Sequence, residues 1–131
     1  MDEAFKKQAD EWFERGLHDL ETAQLLFDEQ GYTDSIAYHI QQAIEKYFKG
    51  YLVFNGKKPP RIHELDTLLN HIGRFDDSLN NFLELCEKAS RYYIEQRYPP
   101  GPIIEYSYEE IKTDLDNAWN LIRKVIAKTG S

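Results

Sequence analysis

The chain has a single cysteine, a single methionine and no long run of apolar residues. Each shortage removes a class of protein. A lone Cys86 cannot form an intrachain disulfide, so the oxidised scaffolds of small secreted proteins are excluded and a reducing compartment is expected. A membrane-spanning helix needs about 20 consecutive apolar residues, and residues 51–54 are typical of the longest apolar runs present. The opening MDEAFKKQADEWF is acidic and amphipathic, without the charged-then-apolar order of a signal peptide. The expectation is a cytoplasmic protein with no membrane association.

The 131 residues fit one domain with one core, and the hydrophobic fraction of 41% is too high for a disordered chain. Net charge is −7, which works against non-specific attraction to phosphate backbones. The charge is uneven, however. Positions 46 to 63 hold Lys46, Lys49, Lys57, Lys58 and Arg61 and contain no Asp or Glu. This stretch is either a solvated lysine-rich turn or a local anion site.

Apolar residues recur with helical period nearly throughout, and no stretch sustains alternation. The first stripe is Phe5, Ala9, Trp12, Phe13, Gly16, Leu20, Ala23 and Phe27, ending near Gly31. The second is Ile36, Ile40, Ala43, Ile44, Tyr47, Phe48, Tyr51 and Leu52, stopped by Asn55-Gly56, where Gly56 supplies a left-handed cap. Leu65, Leu68, Leu69 and Ile72 predict a short helix closed by Gly73. A fourth carries Leu79, Phe82, Leu83, Cys86, Ala89 and Tyr93 and ends before Pro99-Pro100, in a rigid extended loop. Ser107 with Glu110 has the spacing of a capping box for a last helix along Ile111, Leu115, Ala118, Ile122 and Val125. The predicted fold is all-α, an up-and-down four-helix bundle with a short additional helix. Cys86 falls on a core stripe and reads as an inert buried thiol.

Enzymatic signatures fail. His63-Glu64 begins like a zinc-protease helix, but Thr67 stands where the second histidine is required, so no metal is expected. Gly56-Lys57 resembles the end of a phosphate loop, yet Tyr51 replaces its first glycine and Lys58 its hydroxyl. No Gly-x-Ser-x-Gly elbow occurs. One row does stand out: Ser35, His39, Gln42, Lys46 and Lys49, spaced four, three, four and three along one side of the second helix. Such a row is either an ordinary polar boundary to the core or the lining of a groove for an anion.

Residues 38–69 carry Tyr38-His39, Gln41-Gln42-Ala43, Glu45-Lys46, Lys49-Gly50, Gly56 and His63-Glu64-Leu65 in order, and Arg97-Tyr98-Pro99 follows the fourth helix. This succession resembles the signature of HEPN domains, in particular their prokaryotic branch. The resemblance implies a helical bundle like the substrate-binding domain of kanamycin nucleotidyltransferase, commonly a homodimer. Many such proteins are encoded beside a minimal nucleotidyltransferase and act with it in toxin–antitoxin pairs. Others are metal-independent RNases marked by an arginine, four to six residues and a histidine. This sequence departs from that pattern, since Arg91 reaches only Gln96, Arg97 and Tyr98. Without the acid–base imidazole little or no RNase activity is expected.

The expected function is therefore a non-catalytic module, needing no cofactor, that binds a nucleotide or a nucleotidyltransferase partner. The alternatives are an RNase toxin with a rearranged site using His63, and a purely structural dimer. Gln42, Lys46, Lys49, His63, Arg97 and Tyr98 form the candidate binding set. In it Arg97 either takes a phosphate bidentately or pairs with a carboxylate, and Tyr98 either stacks on a base or anchors the proline loop. Tyr92, Tyr93, Tyr98 and Tyr106 either contribute to a dimer interface or complete the monomer core.

Overall fold

A computed structural model describes residues 2–94 and 105–130. Five α-helices and one short 3₁₀ turn appear among them: α1 (Glu3–Asp28), α2 (Thr33–Phe54), α3 (Leu65–Gly73), the 3₁₀ turn (Asn80–Phe82), α4 (Leu83–Ile94) and α5 (Tyr108–Thr129). The fold is all-α, as the periodicity predicts. The proline loop expected after α4 lies outside the described residues.

The helix ends follow from local chemistry. Asp2 caps α1 by accepting from the Ala4 amide at 2.8 Å, and Ser107 caps α5 by accepting from the Glu110 amide at 3.0 Å. At the end of α2 the Lys57 amide donates to the Leu52 carbonyl and the Gly56 amide to that of Val53, each at 2.9 Å, with Gly56 at φ +75°. That is the left-handed cap the Asn55-Gly56 pair predicts. α1 ends with the same pair of hydrogen bonds, but Gln30 rather than Gly31 takes the positive φ, at 57°.

Side-chain pairs fix the directions of the helices. Gly16 lies against Tyr47 and Gly50 against Phe13, so α1 and α2 run antiparallel. Both glycines are required by this approach: a Cβ at Gly50 would meet the Phe13 ring at 2.5 Å, and one at Gly16 would meet the Tyr47 ring at 2.6 Å. The two rings stack between them, with centroids 5.3 Å apart. α5 starts beside Thr33, whose hydroxyl accepts from the Tyr106 amide, and ends beside Asp76, which binds both Lys128 and the Tyr51 hydroxyl. It is therefore parallel to α2. Lys88 on α4 reaches Glu110 and Asp114 of α5, while Phe82 lies under Lys124, an antiparallel pairing. The result is an up-down-up-down bundle of α1, α2, α4 and α5, with α3 inserted in the α2–α4 connection.

The central element is α2, which packs against all four other helices and is buried around most of its circumference. Every residue of its predicted stripe is in the core, as are those predicted for α3 and α5. The α4 stripe is corrected in part. Leu79, Cys86 and Ala89 are buried, Leu83 is exposed, and Leu85 and Tyr92 join the core, while the Tyr93 side chain lies outside the described residues. Phe5, expected to lead the α1 stripe, is also exposed. Gly73 lies inside the last turn of α3 and Arg74 follows it as the cap. Cys86 is fully buried, and burial pushes its thiol up to about 12, with the Asp66 and Glu87 carboxylates adding to the effect.

Candidate functional site

The polar row predicted on α2 divides into two clusters, each built on a carboxylate. The first faces α1. Asp19 accepts from His39 Nδ1 at 2.9 Å and makes a very short contact with Lys46 Nζ. Burial pushes the Asp19 carboxyl up, but hydrogen bonding and charge from His39 and Lys46 outweigh it and hold the group below its usual range.

The second cluster lies where α2 meets the segment leading into α3. Gln41, Glu45 and Lys49 follow each other at i, i+4 and i+8, one line along the helix. They are 0%, 6% and 7% exposed, respectively. Glu45 Oε1 accepts from Gln41 Nε2 at 3.0 Å and pairs with His63 Nδ1 at 3.0 Å, while Oε2 takes Lys49 Nζ at 3.1 Å. The same Gln41 amide donates to the His63 carbonyl at 3.1 Å, and Gln42 Nε2 donates to Gln41 Oε1 at 2.7 Å. Lys49 Nζ also lies 5.8 Å from the centre of the Trp12 ring, a cation–π contact.

Burying a lysine and a glutamate together costs several kcal/mol per ion unless their lone pairs and protons are satisfied. Here both Glu45 oxygens are occupied. The network reaches the surface at two places, half-buried Gln42 and His63, whose side chain is 47% exposed. The Glu45 carboxylate fixes the orientation of the His63 ring through Nδ1.

The structure therefore brings Gln42, Lys49 and His63 of the predicted set into one hydrogen-bonded network and sends Lys46 to the other side, toward α1. Lys46 and Lys49 are both ion-paired, so neither presents an unmatched charge. Arg97 and Tyr98 lie outside the described residues. The sequence signature includes Gln41 and Glu45, but neither was placed in the candidate binding set, and Asp19 was not singled out. The i, i+4, i+8 alternation of amide, carboxylate and ammonium was a signal for the first two. Asp19 has none, because its partners are 20 and 27 residues away.

Of the tyrosines considered for a dimer interface, Tyr92 belongs to the core, where its hydroxyl donates to Asp114 at 2.6 Å. Tyr106 packs edge-on against it at 4.9 Å. Among the described residues, no helix is long and apolar enough to cross a membrane.

Comparison with known proteins places this arrangement in a family. A Methanocaldococcus jannaschii protein named "Putative toxin MJ1304" is 29% identical over 133 residues, spanning 91% of this chain and 86% of that protein. The crystal structure of TT1696 from Thermus thermophilus matches with a TM-score of 0.80 and 27% identity, covering 92% of this chain and 98% of that one. The HEPN domain family matches residues 9–128. By that match over most of its length, the chain belongs to the HEPN domain family.

Proposed function

We propose that this protein is the HEPN component of a toxin–antitoxin pair, acting as a cytoplasmic homodimer of single-domain chains. In this reading it binds a minimal nucleotidyltransferase partner, or the nucleotide that partner holds, and catalyses no reaction itself. Gln42 and His63 form the docking edge, Lys49 fixes it from beneath, and Lys46, on the side toward α1, Arg97 and Tyr98 supply further contacts. Family membership and the name of the archaeal relative support the pairing. The absence of a histidine at the required distance from Arg91 supports the non-catalytic role.

The observation that carries the reading is the Glu45 hub. One buried carboxylate holds His63 directly and Gln42 through Gln41, so both surface groups are fixed before any partner arrives. Preorganisation of this kind lowers the ordering cost of binding. The test is calorimetric titration of a nucleotidyltransferase encoded beside this gene, with and without ATP, into wild type and Gln42→Ala/His63→Ala. At least tenfold weaker binding with an unchanged melting curve supports the docking edge. Equal affinity in the double variant refutes it.

One observation favours a second reading, an RNase with a rearranged site. A half-exposed imidazole whose Nδ1 is held by a buried carboxylate has the geometry of a general base. Single-turnover cleavage of RNA by the pure protein, abolished in His63→Ala, would establish that reading over the first.

A further inference from the structure

The basic stretch of the sequence has a second half that the Glu45 cluster does not use. Lys57 and Lys58, just after the α2 cap, line a surface cleft of about 410 Å³ together with Leu52, Gly56, His71, Arg74 and Phe75. Lys57, Lys58 and Arg74 are exposed and make no ion pair with any described residue. Five other lysines, Lys46, Lys49, Lys88, Lys112 and Lys128, each hold a carboxylate.

Helix ends account for part of this charge. α2 and α3 both end at the cleft, and each carboxyl end carries about half a negative charge. Two such ends offset about one of the three cations, leaving about two positive charges unmatched. The nearest carboxylate in sequence, Asp76, is already engaged by the Tyr51 hydroxyl at 2.6 Å, by Lys128 at 3.2 Å and by the Ser78 amide at 2.9 Å. The cleft also has an apolar side. The Phe75 ring is 37% exposed, with Lys57 Nζ 5.9 Å from its centre and Tyr51 tilted behind it at 5.9 Å.

We propose that this cleft is a binding site for a phosphate-bearing ligand with a planar ring beside the phosphate. The ligand is either a free nucleoside polyphosphate or the 5′-phosphate end of an RNA strand. The charge fits, since a terminal phosphate carries about −1.5 to −2 at neutral pH. The donors also fit: the Arg74 fork binds two oxygens of one phosphate, and two lysines supply mobile point charges around the others. Phe75 offers the face on which a base stacks. The site lies apart from the Gln42–His63 edge and does not depend on the partner reading, so either can fail alone.

The experiment is titration of the full-length protein at low salt with pyrophosphate, ADP, a 5′-phosphorylated RNA pentamer, the same pentamer with a 5′-hydroxyl, and a pentaglutamate peptide. Wild type is compared with Lys57→Ala/Arg74→Ala and with Phe75→Leu, all checked for an unchanged melting curve. Losing two charge-assisted contacts should weaken phosphate binding by tenfold or more, on the order of what one such hydrogen bond contributes. Phe75→Leu should weaken ADP and leave pyrophosphate unchanged. Preference for ADP identifies the free nucleotide as the ligand, and preference for the phosphorylated over the hydroxyl pentamer identifies the RNA end. The site is refuted by no binding of any phosphate probe, by equal binding in the Lys57/Arg74 double variant, or by binding of the peptide alone. An equal effect of Phe75→Leu on ADP and pyrophosphate overturns the stacking role.

Discussion

Replacing Glu45 by alanine should be among the most damaging single changes near the candidate site, and its cost can be worked from the network. The substitution leaves Lys49 at 7% exposure without its carboxylate and removes one acceptor each from Gln41 and His63. Breaking a buried pair in this way costs about 3–5 kcal/mol. Two features lower the figure within that range. Lys49 keeps its contact with the Trp12 face, about 0.5–1 kcal/mol or somewhat more when desolvated, and Gln41 keeps the His63 carbonyl. The expectation is about 3 kcal/mol. Lys49→Met should cost less, because Glu45 retains Gln41 and His63 as donors. Glu45→Leu/Lys49→Met should come close to wild type, since an apolar pair of similar volume often replaces a buried ion pair without loss. Urea unfolding followed by circular dichroism reads all four proteins, with a shift in midpoint at constant slope reporting stability. A loss under about 1 kcal/mol in Glu45→Ala, or a double variant less stable than Glu45→Ala, would refute the coupling.

Three further outcomes are expected. Gly50→Ala gains about 1 kcal/mol of helix propensity but drives a Cβ to 2.5 Å from a Phe13 ring already stacked on Tyr47. Overpacking of about 1–3 kcal/mol should win, and a higher melting temperature in the variant would contradict it. Asp19 has a folded-state carboxyl below its ordinary value, so its stabilisation is complete above pH about 4 and is lost as pH falls through the lower folded value. Asp19→Asn should therefore be destabilising at pH 7, with a smaller deficit at pH about 3; a constant deficit would disprove the linkage. Cys86 should resist a thiol reagent in native buffer and react fully in denaturant, and rapid native labelling would contradict its burial.

The parts of the fold legible in the sequence were those where one helix geometry holds from end to end. Along α2 each of the eight predicted core residues is buried, because one uninterrupted helix of 22 residues keeps the stripe in phase. On α4 the phase is broken by the 3₁₀ turn at Asn80–Phe82. A 3₁₀ turn advances about 120° per residue against about 100° in an α-helix, so three residues rotate the stripe by about 60°. Leu83 is thereby exposed, and Tyr92 fills a place in the core. The site was legible in composition but not in grouping. Lys49 lies about 60° around the helix from Lys46 and about 40° from Glu45, from the α-helical advance per residue. Spacing alone could assign it to either row. The deciding partners, Asp19 on α1 and His63 before α3, come from other elements.

That regrouping changes where positive charge can act. Of the five basic residues between positions 46 and 63, Lys46 and Lys49 have their charge matched inside the bundle, and Lys57 and Lys58 hold theirs at a surface cleft. A ligand recognised through Lys46 and Lys49 has to displace Asp19 or Glu45, exchanging one ion pair for another with little net change in charge. Its affinity should depend weakly on salt. A ligand recognised through Lys57, Lys58 and Arg74 meets unmatched cations on a chain of net charge −7, and attraction at an exposed site is screened over about 10 Å at 0.1 M salt. Its affinity and association rate should fall steeply as salt rises. The slope of affinity against ionic strength, measured on wild type with any anionic ligand that binds, therefore distinguishes the two ends of the basic stretch before any residue is changed.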